Sequence, residues 1–77
     1  MQFRLEIIEP QKQQTTVKMI HVTSDFEVWR HIGEAARRLK DRIGVHIKVR
    51  DEKGCVVALT SAVTALLVLA EFDQSAA

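Results

Sequence analysis

Four side chains could in principle ligate a metal or move a proton: His21, His31, His46 and Cys55. A zinc site needs about three or four converging ligands, usually with pairs set a few residues apart. No two of these four stand at such a spacing. His21 closes an apolar run, His31 falls among helix-forming residues, and His46 alternates with Val45 and Ile47. They read as three separate surface or boundary histidines rather than a site. Cys55 would act as a nucleophile only beside a base and a group that orients the base. It follows Gly54 in an apolar stretch, which predicts a buried, inert thiol. The sequence therefore assigns no catalytic residue, no metal site and no cofactor.

Basic side chains are the second source of chemistry. Residues 30–53 hold eight Lys and Arg against four Asp and Glu, a local excess of +4, while the rest of the chain sums to −3. Arg30, Arg37, Arg38 and Arg42 would make the anion or nucleic-acid face of this segment. Interleaved acids weaken that idea. Glu34 stands four residues before Arg38, Arg37 four before Asp41, and Glu27 three and four before Arg30 and His31. Such spacings predict ion pairs on a solvated helix face. The whole chain carries only +1, too little for a global field that draws in polyanions.

A third feature is apolar excess near the C-terminus. Val63, Leu66, Leu67, Val68, Leu69 and Phe72 exceed what one side of a helix can bury in a domain this small. A second copy of the chain is the commonest cover for such surface. Val63, Leu66, Leu67, Leu69 and Phe72 are the candidate self-interface.

These residues need elements to hold them. Phe3, Leu5 and Ile7 alternate with Arg4 and Glu6 and stop at Pro10, which predicts a strand over 2–9. Residues 10–15 are polar and predict a loop, and Thr16–Val22 predicts a second strand, forming an antiparallel hairpin. Ser24 and Glu27 have the spacing of a capping box, with the Glu27 carboxylate reaching back to the Ser24 amide. The stripe Val28, Trp29, Ile32, Ala35, Ala36, Leu39 and Ile43 predicts a helix over 25–43, closed by Gly44 at C′. Trp29 belongs to its core side. Val45, Ile47 and Val49 alternate with His46, Lys48 and Arg50, then Asp51–Gly54 predicts a turn and Cys55–Leu59 the returning strand. The last segment, 61–72, favours helix by its Ala and Leu content, capped by Thr60 or Ser61, with a strand over 63–70 as the rival.

The order is β-β-α-β-β-α. It predicts an α+β fold: a four-stranded, largely antiparallel sheet with the helices on one face, in a single domain over 1–77. Arg4, Glu6, His46, Lys48 and Arg50 would then mark the open face, with none of the chain's four aromatic residues among them. That argues against reading single-stranded nucleic acid by stacking.

A chain of 77 residues with one cysteine has no internal disulfide to support its small core. Good packing or oligomerisation must serve instead. The N-terminus lacks a basic stretch followed by an apolar one, so the expected compartment is the cytoplasm. Gly54 to Ala70 is uncharged for 17 residues, the lower bound for a spanning helix. Its Gly, Thr and Ser content and its hairpin-like first third argue against a span.

Gly44 to Val57, with Ile47-x-Val49, Asp51-Glu52-x-Gly54 and Val56-Val57, resembles the hairpin that follows the helix in some small uncharacterised bacterial domains. The resemblance covers 14 of 77 residues and implies no activity. The first hairpin and the apolar C-terminus depart from it. The sequence thus points to a non-enzymatic interaction or regulatory module, homodimeric, with a protein partner as a further option. Nucleic-acid association is the alternative.

Overall fold

The computed structural model describes residues 1–75, with side chains described as far as Glu71. The order is β1 Gln2–Glu9, a 3-10 turn Pro10–Lys12, β2 Gln14–His21, α1 Asp25–Arg38, β3 His46–Arg50, β4 Val56–Ser61 and α2 Ala62–Ser75. The strands form one antiparallel sheet in the order β2-β1-β3-β4, so the predicted α+β architecture stands.

β1 and β2 pair along their whole length, from Gln2 opposite His21 to Glu9 opposite Gln14. Their connection is tighter than the predicted loop. Pro10 starts a single 3-10 turn, and Gln13 takes φ 50° while its N–H donates to the Pro10 carbonyl. β2 therefore begins two residues earlier than its apolar content suggests. β1 also pairs with β3, antiparallel, so β2 and β3 run parallel with β1 between them. α1 carries the chain across β1.

Phe3, Leu5, Ile20, Val22, Ile47 and Val49 point from the sheet into the core. Val28, Ile32 and Ala36 of α1 meet them, spaced by four residues as one helix stripe, with Trp29, Ala35 and Leu39 half-buried beside it. α2 packs along α1 through Ala62, Ala65 and Leu69.

α1 starts as predicted, with the Ser24 Oγ accepting from the Glu27 N–H. The Glu27 carboxylate, however, reaches the Thr23 N–H and hydroxyl, both at 3.1 Å, rather than the Ser24 amide. The helix ends at Arg38, not at residue 43. Arg42 explains the stop: its guanidinium folds back and donates to the carbonyls of Ala36 (2.8 Å) and Arg37 (2.9 Å). Side-chain donors thus satisfy carbonyls that another helical turn would have used. Ile43 falls outside the helix and is exposed, and Gly44 (φ 76°) serves the turn into β3 instead of a helix end.

In the β3–β4 turn, the Asp51 Oδ1 accepts from the Lys53 and Cys55 N–H groups, each at 2.9 Å, and Gly54 has φ 87°. β4 begins at Val56, which leaves Cys55 in the turn and exposed, not buried as its apolar context suggested. The uncharged run is divided between β4 and α2. The junction is capped by the Ser61 Oγ, which accepts from the Thr64 N–H. The last segment is a helix, and among the described residues no helix is long and apolar enough to cross a membrane.

Candidate functional site

The two helices occupy one side of the sheet and leave three surfaces with unmatched chemistry. The first is the outward side of α2. Ala62, Ala65 and Leu69 recur every three to four residues, so only one side of this helix faces α1. Leu69 lies over Gly33, where no Cβ intervenes. At 6% exposure Leu69 belongs to the intramolecular contact, which removes it from the candidate self-interface. Leu66 is half-buried against the core. Val63 (50% exposed) and Leu67 (65%) lie one turn apart on the outward side. Phe72 lies beyond the described side chains. The expectation that α2 would be covered on more than one side is therefore met on one side only.

The second surface is the basic side of α1. Arg30, Arg37 and Arg38 are exposed on the helix, but Arg42 is drawn into the cap described above. The predicted i,i+4 pairs do not form. Arg37 pairs with Glu34 at 3.2 Å, three residues back, and Asp41 lies past the helix, accepting from the Ile43 N–H. Arg30 and His31 act on Glu27 through space. Glu27's carboxyl is held below its ordinary value first by the Thr23 backbone N–H, then by the Thr23 hydroxyl, with His31 and Arg30 adding smaller attractions.

The third surface is the open side of the sheet. Register places Arg4 opposite Arg50, Glu6 opposite Lys48 and Ile8 opposite His46. Two like charges face each other at Arg4 and Arg50, an unfavourable pairing in isolation. Arg50 relieves it by turning to the Glu6 carboxylate at 3.2 Å and to the Gly54 carbonyl at 3.0 Å. Val17 and Met19 flank this charged strip on β2, and Leu59 flanks it on β4, all exposed. Sequence reading missed those three. On β2 the apolar residues Val17, Met19 and Ile20 fall on both faces, so period two could not show which of them look outward.

His21, His31, His46 and Cys55 lie on β2, α1, β3 and the β3–β4 turn. Among the described residues no group of three or more His, Cys, Asp or Glu converges as metal ligands would. No protein-family model, curated protein or solved structure matches the chain.

Proposed function

We propose that this chain is a non-enzymatic interaction or regulatory module of the bacterial cytoplasm, which associates with a second copy through the outward side of α2. The observation that carries the reading is the exposure of Val63 and Leu67 on a helix surface free of charge from Ala62 to Ala70. A charge-free stripe matches itself about a two-fold axis without burying an ion. The dispersal of the histidines and Cys55 over four elements supports a role without catalysis.

Magnitude sets the strength of the association. A 14-residue helix is about 21 Å long, and one side of it is small beside the roughly 800 Å² per partner of a stable interface. The dimer is therefore concentration-dependent. Light scattering across a concentration series tests it. The mass should rise from 8.7 kDa toward twice that value, and Leu67→Asp should hold it at 8.7 kDa with an unchanged circular dichroism spectrum. A wild-type chain that stays monomeric throughout sinks the proposal. Nucleic-acid binding through Arg30, Arg37, Arg38 and Arg42 has less support, because Arg37 is paired and Arg42 is committed to the cap.

A further inference from the structure

Between α1 and the β1–β2 hairpin lies a cleft of about 350 Å³. Its floor and back wall are apolar, made by Leu5, Ile7 and Ile20 from the sheet and Leu39 from the end of α1. Along β2 only Ile20 is buried, so the rest of the strand's inward side is left open beside α1. Lys18 and Arg38 stand on opposite walls, one from β2 and one from the last turn of α1.

The charges around this cleft are unevenly matched. His31 and Glu34 also line it, and the Glu34 carboxylate is paired with Arg37 at 3.2 Å. Lys18 and Arg38 make no hydrogen bond or ion pair among the described residues. The switch of Glu34 from the i,i+4 to the i,i+3 partner is what leaves Arg38 unmatched. An apolar hollow of this size with a few polar groups at its edge has the form of a small-molecule site.

We propose that the cleft binds a small amphiphilic anion, its apolar tail on Ile7, Ile20 and Leu39 and its carboxylate between Lys18 and Arg38. Charge complementarity selects the occupant: a neutral molecule of the same shape leaves both cations unmatched, while an anion gains charge-assisted hydrogen bonds. This site is separate from the outward side of α2 and does not depend on self-association.

Octanoate, below its micelle concentration, is the probe, followed by methyl NMR of the full chain. The expected result is saturable shifts confined to the methyls that line the cleft, those of Leu5, Ile7, Ile20, Ala35 and Leu39. Lys18→Gln and Arg38→Gln should each weaken binding about tenfold, as should replacing octanoate with 1-octanol. Both substitutions are at exposed positions, and an unchanged amide spectrum verifies the fold. Three results overturn the proposal: no shift confined to the cleft, equal binding of 1-octanol, or undiminished binding by both variants.

Discussion

Glu27 shows how one side chain can serve a helix start in a way its spacing only half reveals. Ser24 and Glu27 stand in the capping-box relation, and the Ser24 half forms as written. The Glu27 half slides back one residue, because the Thr23 N–H and hydroxyl together offer its carboxylate two donors. These bonds favour the charged form and lower its pKa relative to an unfolded chain. The unfolded chain then holds more protons across the interval between the two pKa values, so stability rises with pH there. The Glu27 contribution is complete above the ordinary carboxyl value of about 4.5 and is lost as pH falls through the lower folded value. Glu27→Gln should accordingly lower the thermal midpoint at pH 7 and bring it close to wild type at pH 2. An equal deficit at both pH values would assign the effect to packing. Capping chemistry was legible here, since residue types carry it, but the identity of the acceptor's partner depends on backbone geometry that spacing does not encode.

At the scale of elements, α1 and α2 are joined at a close approach. A Cβ on Gly33 would lie 2.7 Å from the Leu69 Cβ and 3.2 Å from two further Leu69 carbons, nearer than packed carbons approach. Gly33→Ala gains about 1 kcal/mol of helix propensity and loses about 1–3 kcal/mol to overpacking. The expected net is a loss of about 1 kcal/mol in urea unfolding, a reversal of what an exposed helical glycine would show. A gain in stability would mean that the helices part freely at this point. The helix contact was hidden in the sequence because Gly33 has no apolar side chain to enter a periodic stripe. α1's end was hidden for a related reason: Leu39 and Ile43 continue the helical spacing, and only the folded Arg42 side chain marks the stop. Strand alternation, by contrast, made β1 and β3 legible, since Phe3, Leu5 and Ile7 alternate with Arg4 and Glu6, and Ile47 and Val49 with His46, Lys48 and Arg50.

Across the whole molecule, the basic excess of residues 30–53 is divided by the sheet itself. Arg30, Arg37 and Arg38 belong to the helix layer, whereas Lys48 and Arg50 lie on the open face beside Arg4. Glu34, Glu6 and the α1 cap engage Arg37, Arg50 and Arg42. The local surplus visible along the chain thus never collects on one face, which sequence order alone could not show. Polyanion affinity grows with the number of phosphates neutralised together, and so does its dependence on salt. Two or three cations on a face give a shallow dependence and weak retention. The chain should therefore leave a heparin column below roughly 0.1 M salt, with Arg30→Gln and Arg38→Gln changing the elution point little. Retention beyond roughly 0.2 M, with a steep log–log slope that either substitution flattens, would return the basic side of α1 to first place among the binding surfaces.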